Sequence, residues 1–208
     1  MLLIGDIHGA ELKYKEIVDK YEGSTIQLGD FGFRYDILDS VDPHLHKILG
    51  GNHDNYDLIH KYPHYLGDFG MHNNLFFVRG AYSIDKQYRT VGVSWWEQEE
   101  LSYEQCIDCM HEYMEVQPNI VISHMCPFSV LNHLVSSPIL CITGELLSAL
   151  LDMWRPKLWI FAHMHQSKNF KTTIDKELPD STIIGERGFN TTHFVCLNEF
   201  ECCEIRNQ

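Results

Sequence analysis

The side chains in this chain that are best suited to chemistry are aspartates and histidines set two residues apart. Asp6 and His8 form one such pair, and His163 and His165 form another. In an extended segment, residues at this spacing point to the same face, so each pair can bind one cation. Imidazole and carboxylate groups suit divalent Mn, Fe and Zn, whereas a closed structural zinc site usually includes thiolates. The spacing therefore predicts an open metal site of the catalytic kind.

Five polar segments share a position at the end of a predicted strand. Four of them follow apolar runs, such as Ile120-Val121-Ile122 before His124, and the fifth follows the shorter Lys47-Ile48-Leu49. Ligands bind at strand ends in open α/β sheets, so the segments are expected to meet in one site. The segments are Asp6-Ile7-His8, Gly29-Asp30, Gly50-Gly51-Asn52-His53-Asp54, His124 and His163-Met164-His165.

The first half of the chain alternates strand and helix patterns. A strand is predicted at 1–5, a helix from Glu11 to Tyr21, and further strands at 24–28 and near 45–49. This alternation is typical of a mainly parallel sheet. Between Leu75 and Ser94 the pattern changes to short β-type runs. These predict antiparallel strands at Leu75–Arg79, Ala81–Ile84 and Arg89–Val93.

The second half continues with helices, strands and one long loop. Ser102 and Gln105 predict a capping box for a helix that runs to about Val116. The length of the loop at 125–142 favours contact with substrate, and His133 within it is a candidate for that contact. The other predicted elements are a strand at 120–124, a helix from about Thr143 to Trp154, a strand at 157–162 and three strand-like runs after Asn169.

Length and composition place the chain among ordinary globular proteins. Its 208 residues fit one domain, predicted as 1–208, and 44% of them are hydrophobic and 22% charged. No apolar run approaches the roughly 20 residues of a membrane span, and the first residues lack a signal-peptide pattern. The formal charge of −13 argues against a nucleic-acid partner, because proteins that bind nucleic acid usually have a basic patch. A cytoplasmic protein without a membrane partner is expected.

The cysteines indicate reduced thiols. There are seven, irregularly spaced and including the vicinal pair Cys202-Cys203, which does not fit a disulfide framework. Cys106, Cys109 and His111 are close enough in sequence to suggest a structural zinc site. No second matching Cys/His pair occurs, so packing thiols are the favoured interpretation.

Taken in order, the five polar segments resemble the pattern of the calcineurin-like metallophosphoesterases, and the resemblance spans residues 5 to 165. It implies a four-layer α/β/β/α sandwich of two mixed β-sheets flanked by helices, with two divalent metal ions as cofactors. Manganese is the expected metal, and iron and zinc are the alternatives. The resemblance implies that one metal is bound by Asp6, His8 and His165, that the other is bound by Asn52, His124 and His163, and that Asp30 bridges the two.

The resemblance also implies three catalytic residues. His53 would face the scissile phosphate and assist the leaving group without binding a metal. Arg34 stands where the Ser/Thr protein phosphatase branch has an arginine that binds phosphate oxygens. That branch carries, at the position of Phe33, an aspartate that orients the histidine. In this chain Asp54 or Asp57 is expected to take that role, and Asp54 is the one assigned to the site.

The resulting prediction is a metal-dependent phosphoric ester hydrolase that uses a hydroxide bridging two metal ions. A phosphomonoesterase acting on a phosphoprotein or a small nucleotide is the leading interpretation, because of Arg34. A phosphodiesterase, for cyclic nucleotides or nuclease-like, stays open because position 33 carries Phe33 rather than aspartate. The rival from another class is a catalytically silent protein-binding scaffold with the same fold, which the intact ligand set disfavours. The sequence does not indicate an oligomeric state.

Overall fold

The computed structural model describes residues 1–173, 189 and 191–205, which form two β-sheets packed face to face. The first sheet has three parallel strands, and a fourth strand pairs antiparallel with the first of them. These strands are β1 (Leu2–Ile4), β2 (Thr25–Gln27), β3 (His46–Ile48) and β10 (Cys202–Glu204), in the spatial order β10-β1-β2-β3.

The second sheet has six strands within the described residues. Its four inner strands run parallel to one another, and each edge strand runs antiparallel to its neighbour. In spatial order the strands are β4 (Phe69–His72), β5 (Leu75–Val78), β6 (Ile120–Ser123), β7 (Leu158–Phe161), β9 (Thr191–Cys196) and β8 (Lys168–Thr173). Both sheets are therefore mixed.

Helices cover the outer face of each sheet. α1 (Glu11–Lys20) packs on the first sheet, and α2 (Tyr103–Val116), α3 (Phe128–Leu131) and α4 (Ile142–Met153) pack on the second. The predicted capping box begins α2, since Ser102 Oγ accepts from Gln105 N at 3.2 Å and Gln105 Oε1 accepts from Ser102 N at 2.9 Å. The longest described helix, α2, has 14 residues, and none of the described helices combines the length and apolar character needed to span a bilayer.

The alternation of side chains along each strand builds three apolar layers. In β1, Leu3 packs between the sheets and Ile4 packs against the α1 layer. In β7, Ile160 packs between the sheets and Trp159 packs in the layer that contains α2 and α4. All four side chains are fully buried. The predicted four-layer α/β/β/α sandwich of two mixed sheets is confirmed.

Most predicted elements begin and end within one residue of their predicted positions. The loop predicted at 125–142 is an exception, because it contains α3. β8, β9 and β10 account for the three strand-like runs of the tail. The tail positions 174–188, 190 and 206–208 lie outside the described residues.

The structure differs from the prediction between residues 69 and 94. Phe69–His72 forms β4, which the sequence pattern did not indicate, and β5 is antiparallel to β4 but parallel to β6. The strands predicted at Ala81–Ile84 and Arg89–Val93 were wrong. Turns and a 3-10 helix at Lys86–Tyr88 occupy this part of the chain.

Gly80 gives the physical reason for this difference. Its φ is +92°, and its backbone N–H donates to Gly50 O at 2.8 Å, so the chain leaves the second sheet here and turns toward the loop after β3. Ile84 and Val93 are 72% and 65% exposed. Their apolar character mimics a strand pattern, but they lack the packing partners that stabilise one.

His64 generates a prediction about stability. Its side chain is buried, Nε2 donates to Val41 O at 2.9 Å, and Nδ1 has no hydrogen-bond partner among the described residues. Burial lowers the pKa of His64 below its ordinary value, so the unfolded chain takes up this proton at a higher pH than the folded protein. The contribution of neutral His64 to the free energy of unfolding is fully present above about pH 6.5. It is lost as the pH falls, by at most about 1.4 kcal/mol per pH unit.

Urea unfolding of the metal-free protein at about pH 7.5 and about pH 5.5 measures this effect. His64→Gln keeps an N–H donor but has no titratable ring, so it should lose less free energy of unfolding between the two pH values than the wild type. His44→Gln at an exposed position is the matched control. The same pH dependence in wild type and His64→Gln would contradict the prediction.

Candidate metal centre

The seven predicted metal ligands lie in loops that follow the C-terminal ends of parallel strands. The first sheet contributes the loops after β1, β2 and β3, and the second contributes the loops after β6 and β7. The ends of both sheets meet at one edge of the sandwich, so two separate sets of side chains are brought together there. These residues are Asp6, His8, Asp30, Asn52, His124, His163 and His165.

One group of possible ligand atoms consists of Asp6, His8, Asp30 and His165, whose atoms all lie within 4.8 Å of one another. His165 Nε2 is 3.1 Å from Asp6 Oδ2. His8 Nε2 is 3.7 Å from Asp6 Oδ2 and 3.8 Å from Asp30 Oδ2. The four side chains therefore point toward one position, as ligands of a single cation do.

A second group consists of Asp30, His124 and His163, whose possible ligand atoms also lie within 4.8 Å of one another. His124 Nε2 is 3.1 Å from Asp30 Oδ1 and 3.2 Å from Asn52 Oδ1. The rings of His124 and His163 have centroids 4.9 Å apart. Asp30 belongs to both groups, with Oδ2 near His8 and Oδ1 near His124.

The chemistry of this donor set fits a pair of divalent cations. Asp6 Oδ2 and Asp30 Oδ2 are buried, and in the described part of the chain neither accepts a well-aligned hydrogen bond, although His165 Nε2 lies 3.1 Å from Asp6 Oδ2. Burying carboxylate oxygens without donors is costly unless a cation compensates. His8 Nε2 and His165 Nε2 face each other at 2.9 Å, an arrangement in which only one of the two can donate. A cation between these atoms would satisfy all of them.

The backbone at the site is held in a sparsely populated conformation. His8, Asp30, His163 and His165 have positive φ values of 44°, 56°, 63° and 49°. This left-handed region is unfavourable for residues with a Cβ, and such residues concentrate at functional sites. Because of these φ values, the four side chains do not follow the directions that they would take in a continuing strand.

Two glycines leave room for the ligands. Gly29 has a φ of +96°, and a Cβ at this position would meet the ring of His124. A Cβ at Gly51 would meet Asp30 and would lie 2.7 Å from His124 Nε2. The absence of a Cβ at Gly51 therefore makes space for Asp30 and His124.

The ionisable side chains of the site shift one another's pKa values. Burial would raise the pKa of Asp30, but the neighbouring His124, His53 and His163 outweigh burial and lower it. Burial opposes the charged form of His124 as well, yet Asp30 and Asp6 raise its pKa to about 9. His124 Nδ1 lies 2.7 Å from Leu28 O, which fixes the ring with Nε2 facing Asp30 and Asn52.

His163 behaves in the opposite way. Burial, followed by the positive charge of His124, lowers the pKa of His163 to about 4, so its ring is held neutral. A neutral imidazole is the form that binds a metal. The backbone N–H of His163 donates to Asp6 Oδ1 at 3.2 Å, which ties the second sheet to the first at the site.

Asn52 is oriented by two residues that sequence reasoning missed. Asn52 Nδ2 donates to Ser83 Oγ at 3.1 Å, which leaves Oδ1 facing His124. Ser83 Oγ in turn donates to Glu99 Oε2 at 2.6 Å, and its backbone N–H donates to Glu99 Oε1 at 2.9 Å. All three residues are buried. A local sequence pattern gives no indication of this chain of contacts, because its members are 31 and 16 residues apart.

Asp54 supports the loops of the site. Its carboxylate accepts hydrogen bonds from Asp30 N at 2.9 Å, Gly32 N at 3.0 Å, Gly51 N at 2.7 Å and the Tyr35 hydroxyl at 3.0 Å. With four donors and complete burial, it fixes the two loops that carry Asp30 and Asn52. Its contacts therefore indicate a positioning role in place of the expected role of orienting His53.

Asp57, the other residue expected to orient His53, is also bonded elsewhere. Its Oδ2 accepts a hydrogen bond from Trp96 Nε1 at 2.8 Å, and Trp96 is buried in the layer that covers the first sheet. Among the described residues, neither Asp54 nor Asp57 accepts a hydrogen bond from the His53 ring. In the described structure, neither of these two carboxylates therefore takes the place of the aspartate that the phosphatase branch carries at the position of Phe33.

His53 lies beside both groups of ligand atoms. Its backbone N–H donates to Asp30 Oδ1 at 2.7 Å, and its ring packs edge-on against the ring of His8 with centroids 5.1 Å apart. Burial, opposed by Asp30 and reinforced by Arg89, lowers the pKa of His53. The guanidinium of Arg89 approaches both ring nitrogens, at 3.2 Å from Nδ1 and 2.8 Å from Nε2. Arg89 was not predicted as a site residue.

Arg34 lines a cleft beside the candidate site. This cleft has a volume of about 280 Å³, and Phe33, His8 and His53 also line it. Its side chain is 78% exposed, and Nε is 3.9 Å from Glu11 Oε1. The expected phosphate-binding arginine is thus near the site but is held only by a weak, exposed ion pair.

Two further candidates from the sequence are not in these groups. The ring of His133 packs against Phe170 of β8, with centroids 5.6 Å apart. Cys106 and Cys109 are buried free thiols in the layer that covers the second sheet, and no possible metal group of the described residues includes them. This agrees with the interpretation that these cysteines contribute to packing.

A family model described as calcineurin-like phosphoesterase matches residues 1–167, a span that includes both groups of ligand atoms and His53. The match is to the family as a whole and does not distinguish a Ser/Thr phosphatase branch. Comparison with the curated proteins gives no match. The chain therefore belongs to the calcineurin-like phosphoesterase family, and its Asp/His groups fit the metal-dependent phosphoester hydrolysis that this membership indicates.

Proposed function

We propose that this protein is a phosphomonoesterase that binds two divalent cations between the ends of its two sheets. The observation that carries the proposal is the position of Asp30, whose two oxygens face two different groups of ligand atoms. We assign Asp6, His8 and His165 to one metal, Asn52, His124 and His163 to the other, and Asp30 to both. Manganese is the proposed metal, with iron or zinc as alternatives for the same imidazole and carboxylate set.

When bound, the two cations supply positive charge for the phosphate oxygens and lower the pKa of the attacking water. Asp6 and Asp30 offset about half of the roughly four positive charges that two divalent ions bring. A local positive surplus therefore remains on a chain whose formal charge is −13. This surplus is what allows an acidic protein to hold a phosphate dianion.

The remaining steps belong to the protein's own side chains. His53 is placed beside both groups, where a proton on its ring can pass to the departing alkoxide, a contribution of typically 10²–10⁴-fold. Arg34 in the cleft can contact a phosphate oxygen, which favours monoesters because they carry more negative charge than diesters. The substrate class we propose is a phosphoprotein or a small nucleotide.

A phosphodiesterase is the second candidate. It is favoured by Phe33 and by the absence, among the described contacts, of a carboxylate that orients His53 as a proton donor. The scaffold alternative is disfavoured, because the ligand candidates are gathered in two groups that suit cations.

We place the enzyme in the cytoplasm, since all seven cysteines are free thiols.

The roles of Asp30 and His53 predict two different kinds of loss. Asp30→Asn should lose bound metal and turnover together, because a neutral amide cannot compensate two cations. His53→Ala should keep its metal content while turnover falls by roughly 10²–10⁴-fold. Elemental analysis and manganese-dependent release of p-nitrophenol measure the two properties, with His44→Ala as an exposed control. Full turnover in Asp30→Asn, or loss of metal in His53→Ala, would refute the assigned role.

The contacts of Asn52 predict a selective effect on metal affinity. Ser83→Ala removes the hydroxyl that orients Asn52 and should weaken the binding of one of the two manganese ions by roughly 10- to 100-fold. Ser83→Thr keeps the hydroxyl and should stay within a few-fold of wild type. Calorimetric titration of the metal-free protein with Mn²⁺ resolves the two sites. An unchanged titration in Ser83→Ala would show that this hydroxyl does not orient a ligand.

Arg34 predicts a difference between substrate types. Arg34→Ala should reduce kcat/KM for p-nitrophenyl phosphate by about two- to fivefold, a modest loss because the side chain is highly exposed. The loss for bis-p-nitrophenyl phosphate should be smaller, since the diester carries less charge. Steady-state kinetics with both substrates measures the ratio. Equal losses would remove the support that Arg34 gives to a monoester preference.

A further inference from the structure

We propose that Arg89 is the principal arginine that binds the non-bridging oxygens of the phosphoryl group. This deepens the proposed function, on which it rests, by naming a residue that the family pattern does not supply at this position. Arg89 lies in the segment 85–94, between β5 and α2, which crosses the edge of the site next to His53. Its guanidinium lies within hydrogen-bond distance of the proposed leaving-group histidine.

The guanidinium of Arg89 lies against the ring of His53. Nη1 and Nη2 of Arg89 lie 3.2 Å and 2.8 Å from the two ring nitrogens of His53. The His53 ring contacts the ring of His8, and the His53 backbone N–H donates to Asp30. A phosphate that lies on the metal pair and faces His53 would therefore also be within reach of Arg89.

Arg89 has more N–H donors than the described residues offer it acceptors. A guanidinium has five N–H donors, and a neutral imidazole offers one acceptor nitrogen. In the described part of the chain, Arg89 has Asp85 Oδ1 at 2.8 Å, Ser94 O at 3.4 Å and at most one nitrogen of His53 as acceptors. At least two of its N–H groups therefore lack an acceptor among the described residues. Phosphate oxygens are the acceptors that a guanidinium matches best, since they allow paired, charge-assisted bonds.

Arg89 is held more firmly than Arg34. The side chain of Arg89 is only 11% exposed and is anchored through Nε to Asp85, four residues earlier. Arg34 is 78% exposed, with an ion pair at 3.9 Å. A buried, anchored cation loses less conformational entropy when it binds and is screened less by water. Arg89 is therefore expected to contribute more to phosphate binding than Arg34 does.

A purely structural role for Arg89 would have a different signature. If the guanidinium served only to hold the His53 ring or the segment 85–94, its loss would reduce turnover and leave the affinity for phosphate unchanged. Inorganic phosphate is therefore the informative probe, because it carries the oxygens in question and has no leaving group. Its dissociation constant can be measured without turnover.

The test is calorimetric titration of the manganese-loaded protein with inorganic phosphate, in wild type, Arg89→Ala, Arg89→Lys and Arg34→Ala. Arg89→Ala should raise the dissociation constant by roughly 10- to 100-fold, because two charge-assisted bonds are lost. Arg89→Lys should be intermediate, since it keeps the charge but not the paired donors. Arg34→Ala should raise it by less than about threefold. Lys86→Ala, on the same segment with its Nζ over the Tyr82 ring, is the control for loss of a nearby charge.

Metal content and melting temperature are measured on every variant, so that a folding defect is recognised. A dissociation constant for Arg89→Ala within about twofold of wild type, in a folded and metal-loaded protein, overturns the proposal. So does a larger effect from Arg34→Ala, or a wild-type protein that binds no phosphate. Arg89→Lys decides the question if Arg89→Ala fails to fold.

The outcomes also separate this proposal from the proposed function. If the manganese-loaded wild type hydrolyses no phosphate ester, the phosphomonoesterase proposal fails, while the phosphate titration still tests Arg89. If hydrolysis is normal and the phosphate affinity of Arg89→Ala is unchanged, only the assignment of Arg89 fails.

Discussion

The site depends on one buried carboxylate, Asp30, whose two oxygens face two groups of ligand atoms. Such a group is expensive to bury, and the chain compensates it with histidines on both sides and with a hydrogen bond from His53 N. Its backbone is fixed in a left-handed conformation by Asp54, which accepts from Asp30 N, Gly32 N and Gly51 N. The two buried carboxylates thus have different roles, since Asp30 faces both groups of possible metal ligands and Asp54 holds the loop that presents Asp30.

The packing of the two sheets sets the distances within the site. Asp30 and Asn52 come from the first sheet, and His124 and His163 come from the second. A shared apolar layer, with Leu28 and Ile122 among its members, holds the sheets together directly beneath the ligands. His124 reinforces this by contacting Leu28 O across the interface. A shift of one sheet over the other would separate the candidate metal ligands, so the geometry of the candidate site depends on the inter-sheet core.

The two arginines near the site illustrate how position changes the value of a charge. Arg34 stands at the position that the sequence resemblance favours, but it is exposed and weakly paired. Arg89 reaches His53 from a segment that the sequence pattern indicated as a strand, and it is nearly buried. The family pattern accounts for the candidate metal ligands and His53, whereas Arg89, the proposed phosphate-binding residue, lies in a different loop.

The sequence by itself predicted most of the strands and helices and the candidate ligands, because these depend on short-range patterns, and the resemblance that the ligands carry implied the family and the sandwich architecture. The spacing of Asp6 and His8 and the apolar runs before each ligand can be recognised without coordinates. The capping box of α2 is equally local. The partners of these ligands could not be predicted, because Ser83, Glu99 and Arg89 reach the site through long-range contacts. The turn at Gly80, with its bond to Gly50 O, sends this segment across the strand ends, and only the folded structure decides that path.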